Sequence, residues 1–96
     1  MKPFFVYILE CSDGSYYTGH TDNLELRISQ HQLGEIKGYT QTRLPVQTVF
    51  VQTFQTRYEA LASERQIKNW SRRKKKALID QQWDNLILFS KGKNKS

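Results

Sequence analysis

The apolar positions of the chain change period several times, and each change marks an element. Phe4 to Leu9 is an unbroken apolar run ending at Glu10. Its aromatic and β-branched content predicts a strand covered on both faces. Ser12-Asp13-Gly14 is turn chemistry and Ser15 to Thr21 resumes a strand-like run, so the first twenty-one residues predict a hairpin. Asp22 followed by Glu25 resembles a capping box, and Leu24, Ile28 and Leu33 keep helical spacing until Gly34, predicting a helix over 23–33. Residues 34–45 are polar and punctuated by Gly38 and Pro45, which predicts a surface loop, and its Lys37, Tyr39, Thr40 and Arg43 are groups suited to touching a phosphate chain.

Val46 to Phe54 predicts a third strand, Thr56 with Glu59 opens a helix to about Trp70, and Ser71 caps a further helix to about Gln82. Trp83 to Phe89 is an apolar packing segment, and residues 90–96 form a basic tail expected to be disordered. Residues 1–89 are read as one domain of the α+β class, a small three-stranded antiparallel sheet flanked by helices.

The hairpin has two candidate registers. With Asp13-Gly14 as a two-residue turn, Tyr17 lies opposite Glu10 and away from Tyr7. With Ser12-Asp13-Gly14 as a three-residue loop and Gly14 left-handed, Leu9 faces Tyr17 and Tyr7 faces Gly19. The two phenols then share one face as diagonal neighbours, roughly 7–8 Å apart at the backbone. Only this second register gives a reason for the glycine, which leaves room across from Tyr7. The plain alternative is a pair of ordinary strand aromatics.

Charge sharpens the picture. The 96 residues carry a formal +6, and the eight basic residues between Arg57 and Lys76, against Glu59 and Glu64, match that excess within one segment. A localised patch of this kind favours an anionic partner. Cys11 is the only cysteine, which precludes an internal disulfide and a cysteine metal cluster. The sequence contains no 18-residue apolar run and no secretory h-region, so a cytoplasmic protein without membrane association is expected.

Three further features suggest chemistry. Arg27 and His31, four apart, project from one face of the first helix beside the hairpin. Glu64 falls inside the stripe formed by Ala60, Leu61 and Ile67, and an inward carboxylate needs compensation. A salt bridge to Arg27 or another base supplies it, or a divalent ion does. "SRRKKK", residues 71–76, crowds cations onto a helix start, where the macrodipole disfavours them. Phosphate binding explains that placement, as does a solvated basic turn.

These residues resemble the GIY-YIG nuclease superfamily, and within it the small stand-alone bacterial proteins. Phe5-Val6-Tyr7 stands at the GIY position, Tyr17-Thr18-Gly19 at the YIG position, and "DNLELRISQH" is similar to the helix carrying the family's Arg and His. "EALASERQIKNWSRRKKKALI" is similar to its glutamate helix and the basic stretch beyond. The resemblance covers about residues 3–80. It implies metal-dependent hydrolysis of phosphodiester bonds in DNA, directed by substrate structure or by a partner.

Carried over by position, Tyr7 is the general base, Tyr17 positions phosphate, Arg27 stabilises the transition state and His31 poises a tyrosine. Glu64 is then the sole protein ligand of one Mg²⁺ or Mn²⁺. Gly19, Lys37, Arg43, Lys68, Arg72, Arg73, Lys74, Lys75 and Lys76 are the expected nucleic-acid contacts. A phenol titrates near ~10, so a tyrosine base at neutral pH calls for positive charge nearby. Three positions depart from the family pattern: Phe5 replaces the first glycine, Lys76 stands where many members carry asparagine, and His20 where several carry lysine. The alternative readings are a nucleic-acid-binding module without useful catalysis and a protein-interaction domain using Trp70 and Trp83. DNA is the expected partner, with RNA or a protein as alternatives, and the expected state is a monomer or weak oligomer.

Overall fold

The computed structural model describes residues 2–81. The segment Trp83 to Phe89, the domain end at 89 and the tail 90–96 lie outside the described residues. Three strands form one antiparallel sheet in the order β2-β1-β3, with β1 Phe4–Glu10, β2 Tyr16–Thr21 and β3 Gln47–Phe54. The apolar run of β1 is therefore the central strand. Val6 and Ile8 face one side, and Tyr7 and Leu9 face the other, all four buried.

The three-residue loop is the one adopted. Leu9 pairs with Tyr17 and Tyr7 with Gly19. Cys11 N donates to Ser15 O at 2.8 Å and Gly14 takes φ +83°, a conformation that glycine adopts without steric cost. Asp13 Oδ1 accepts the Ser15 N–H at 3.0 Å and tightens the turn.

Helices cover both faces of the sheet. Val6 and Ile8 pack with Phe50, Ala60, Ile67 and Ile79, beneath α2 (Arg57–Lys68) and α3 (72–81). Tyr7, Leu9 and Cys11 pack with Val46, Tyr17, Leu24, Ile28 and Leu44, beneath α1 (Leu24–Gln32) and the connection that follows it.

Boundaries differ from expectation in small ways with clear causes. Asn23, rather than Asp22, caps α1, because β2 runs through Thr21 and the chain needs two residues to turn. Thr21 Oγ1 accepts the Asn23 N–H at 3.0 Å, and Asn23 Oδ1 then accepts from Leu26 N at 3.2 Å. Asp22 instead approaches Lys2 Nζ at 3.8 Å. Thr56 caps α2 as expected, taking the Glu59 N–H at 3.1 Å. This helix stops at Lys68, short of Trp70, with Asn69 at its C-cap. Ser71 then starts α3, its hydroxyl accepting from Lys74 N at 3.2 Å.

Candidate active site at the edge of the sheet

On the α1 face, the register brings the two phenols and an imidazole together. The Tyr7 and Tyr17 ring centres are 6.5 Å apart, and His31 lies 5.7 Å from the first and 5.2 Å from the second. Gly19 makes this possible: a Cβ there would sit 2.5 Å from the Tyr7 hydroxyl and 2.7 Å from its Cζ. His31, buried at 1% exposure, uses both ring nitrogens. Nε2 is 2.9 Å from the Tyr7 hydroxyl and Nδ1 is 2.8 Å from Thr40 Oγ1. Arg27, one turn earlier on α1, is half-buried, and its charge reaches both Tyr7 and His31. Its guanidinium makes no hydrogen bond or ion pair with any described residue.

On the opposite face, Glu64 of α2 is buried to 7% exposure. Arg27 does not compensate it. The partners are His20 Nδ1, in a short contact with Oε1, and Lys68 Nζ, 2.7 Å from Oε2. Because β2 is an edge strand, the two halves meet around its rim. Lys68 joins them, its ammonium lying 5.9 Å from the centre of the Tyr17 ring.

The electrostatics follow from burial. Desolvation pushes the Tyr7 phenol well above its ordinary value, Tyr17 and the Glu64 carboxylate add to the shift, and Arg27 opposes it without prevailing. The lowering expected from nearby positive charge is therefore reversed. Burial, aided by Arg27, holds His31 below the usual imidazole range, so the ring is neutral at neutral pH. For Glu64, burial favours the acid, but the hydrogen bonds from Lys68 and His20 outweigh it and the carboxylate stays ionised.

This donor set fits a lightly held divalent cation. Among the described residues no group of three or more His, Cys, Asp or Glu converges. A single carboxylate suits an ion that keeps waters and takes its other ligands from substrate phosphate. Both Glu64 oxygens are engaged, so Glu64 would hold a cation only in exchange for His20 or Lys68.

The expected nucleic-acid contacts are distributed in three groups. Gly19 is buried beneath the Tyr7 ring, and Lys68 sits at the site. Arg43 and Arg72 grip the hairpin turn from opposite sides of the sheet. Arg43 Nε donates to Asp13 Oδ2 at 3.1 Å, and Arg72 donates to Gly14 O while lying 4.5 Å from the Tyr16 ring centre. The remainder are peripheral: Lys37 and Arg73 are exposed, Lys75 is half-buried, Lys74 lies over Trp70 at 4.3 Å, and Lys76 pairs with Asp80 at 3.1 Å.

Two loop residues expected only to touch phosphate, Thr40 and Tyr39, instead pack into the site. Thr40 and Tyr39 lie in the aperiodic loop, where no spacing signals an inward side chain. Tyr39 stacks on Tyr17 at 6.2 Å with Arg43 over its ring at 3.8 Å. His20 was visible only as a departure from a motif, and its partner Glu64 lies 44 residues away.

Known proteins are similar to this chain in sequence and in fold. The family described as the GIY-YIG catalytic domain matches residues 3–77. A UPF0213 protein of Haloquadratum walsbyi is 46% identical over 80 residues, covering 83% of this chain and 90% of its own. Another, from Staphylococcus saprophyticus, is 44% identical over 81 residues, covering 84% and 99%. The solution NMR structure of a UPF0213 protein from Bacillus halodurans superposes with a TM-score of 0.55 at 42% identity, covering 81% of this chain and 83% of that one. A protein from E. faecalis gives 0.59 at 32% identity, covering 84% and 86%. The chain therefore belongs to the GIY-YIG nuclease family, alongside its UPF0213 members, a family that acts on nucleic acid and generally uses divalent metal ions.

Proposed function

We propose that the protein is a metal-dependent endonuclease that hydrolyses phosphodiester bonds in DNA, with Tyr7 as general base. The observation that carries this reading is the buried hydrogen bond between the Tyr7 hydroxyl and His31 Nε2, 2.9 Å long, within a cluster that also holds Tyr17. Since burial disfavours a free phenolate, the base works by relay. As the Tyr7 oxygen takes a proton from the attacking water, its own proton passes to the neutral His31, and no charge accumulates on the phenol. Tyr17 positions the phosphate, and Arg27, half-buried and with no side-chain partner among the described residues, meets the charge of the pentacoordinate state.

Glu64 is the residue that would hold one Mg²⁺ or Mn²⁺, and such an ion acts as a Lewis acid on the leaving oxygen. With a cation on Glu64, Lys68 would be free to meet phosphate. Gly19 serves the site indirectly, by leaving the Tyr7 ring its place, and Lys37, Arg43 and residues 72–76 extend the contact along the strand. RNA is the alternative polymer, and a partner protein or the shape of the substrate directs cleavage. Among the described residues no helix is long and apolar enough to cross a membrane, in keeping with a cytoplasmic setting.

A second reading, a binding module on the same scaffold, draws support from Glu64 having both oxygens occupied. Nicking of branched and linear DNA with Mg²⁺ or Mn²⁺ separates the two. The nuclease reading expects cleavage in the wild type and its loss in Tyr7→Phe and Glu64→Ala, with binding retained. Activity unchanged in Glu64→Ala rejects the metal role, and salt-sensitive binding without cleavage under any metal condition favours the module.

A further inference from the structure

Thr40 occupies the middle of the long connection between α1 and β3, yet it is buried to 1% exposure. Loop threonines ordinarily face water. This one is held inward by the surrounding chain. Arg43 N donates to Thr40 O at 3.0 Å, the Arg43 guanidinium donates to Tyr39 O at 2.8 Å and to Asp13, and Ser12 N donates to Arg43 O at 2.9 Å. Gln41 Nε2 closes the other end on Gly34 O at 3.1 Å. The loop is thereby tied to the hairpin turn on one side and to the end of α1 on the other.

The constraint places the Thr40 hydroxyl 2.8 Å from His31 Nδ1. A neutral imidazole has one N–H and one bare nitrogen, and the partner of one nitrogen decides the state of the other. The Thr40 hydroxyl can accept an N–H from Nδ1, and with the proton held there Nε2 is left bare for the phenol. A phenol is much more acidic than an alkyl alcohol and is the better donor to an imidazole lone pair. The Tyr7 O–H therefore points at Nε2, and Nδ1–H points at Thr40.

We propose that Thr40 is a positioning residue for hydrolysis, holding His31 in the Nδ1–H tautomer so that a bare Nε2 faces the Tyr7 hydroxyl. The reaction role rests on the nuclease reading above; the tautomer does not. In the step concerned, an O–H bond of water breaks as its oxygen bonds to phosphorus, and that proton goes to the Tyr7 oxygen. The Tyr7 proton moves to Nε2, and the P–O bond to the leaving group breaks with its electron pair on the departing oxygen. His31 then carries two N–H groups, with the one at Nδ1 already accepted by Thr40.

The test uses the full chain with ¹⁵N-labelled histidine, comparing the wild type, Thr40→Val and Thr40→Ser. Long-range ¹⁵N–¹H correlation at neutral pH is expected to show the Nδ1–H tautomer of His31 in the wild type and Thr40→Ser, and a mixture or the other tautomer in Thr40→Val. Nicking under saturating DNA is expected to fall about tenfold or more in Thr40→Val, by analogy with the loss of a hydrogen-bond partner behind a metal-ligating imidazole, and to recover in Thr40→Ser. A wild-type Nε2–H tautomer, or a Thr40→Val protein with unchanged tautomer and rate, overturns the proposal. If Thr40→Val does not fold, the wild-type tautomer and the Thr40→Ser rate decide. Absence of nicking in every protein counts against the nuclease reading, while the tautomer spectra still judge Thr40.

Discussion

Gly19 shows how one missing side chain creates the site. Tyr7 has its hydroxyl held by His31, so the ring has little freedom to retreat from an added methyl group. Gly19→Ala is expected to cost about 1–3 kcal/mol through overpacking, read as a lower denaturation midpoint in urea. Combining it with Tyr7→Phe should not restore stability, because Cζ as well as the hydroxyl lies within 2.7 Å of the added atom. Glu64 illustrates the opposite case, a side chain whose cost is offset by its neighbours. It resides in an apolar stripe but is ionised because Lys68 and His20 donate to it.

At the level of elements, caps decide where the helices start and hence where the site residues point. Asn23→Ala is expected to cost about 1 kcal/mol, since it removes the acceptor of the Leu26 N–H. Asp22→Ala should change stability by less than about 0.5 kcal/mol, because its 3.8 Å contact with Lys2 is a surface ion pair. Paired denaturation curves of the two variants check the cap assignment directly. A one-residue shift in the start of α1 would turn Arg27 and His31 by about 100° about the helix axis, away from the tyrosines. Loop 34–46 acts as a further element although it has no regular structure: its grip on the hairpin turn through Arg43 brings Thr40 to His31.

For the whole molecule, pH and salt are the informative variables. His31 titrates lower in the fold than in the unfolded chain. The unfolded chain thus takes up the proton first as the medium is acidified. The stability contributed by neutral His31 is complete above the ordinary imidazole value near ~6.5 and is lost as pH falls below it. The urea midpoint of the wild type is expected to decline between about pH 7 and pH 5, with a shallower decline in His31→Gln. The +6 charge predicts DNA binding that weakens steeply with salt. Arg73 is exposed and its guanidinium engages no described residue, so Arg73→Ala should reduce the slope of log K against log salt by about 0.9. Lys76→Ala should reduce it less, because its ammonium is shared with Asp80. Binding isotherms across a salt series measure both.

The order of elements and the inward direction of Glu64 were legible in the sequence because each depends on local rules, and the hairpin register was narrowed to two, of which Gly19 favoured the one adopted. Turn length sets the pleat, helical period sets the face, and glycine marks the places where Gly14 must turn and Gly19 must give way. The sequence by itself also brought Tyr7, Tyr17 and His31 to neighbouring elements. What only the tertiary structure decided was how those residues are partnered: His20 and Lys68 rather than Arg27 on Glu64, Thr40 on His31, and burial prevailing over positive charge at Tyr7. The physical reason is that such partners come from segments far apart in the chain, one of them an aperiodic loop. Desolvation likewise depends on everything packed around a group, so no local spacing encodes it.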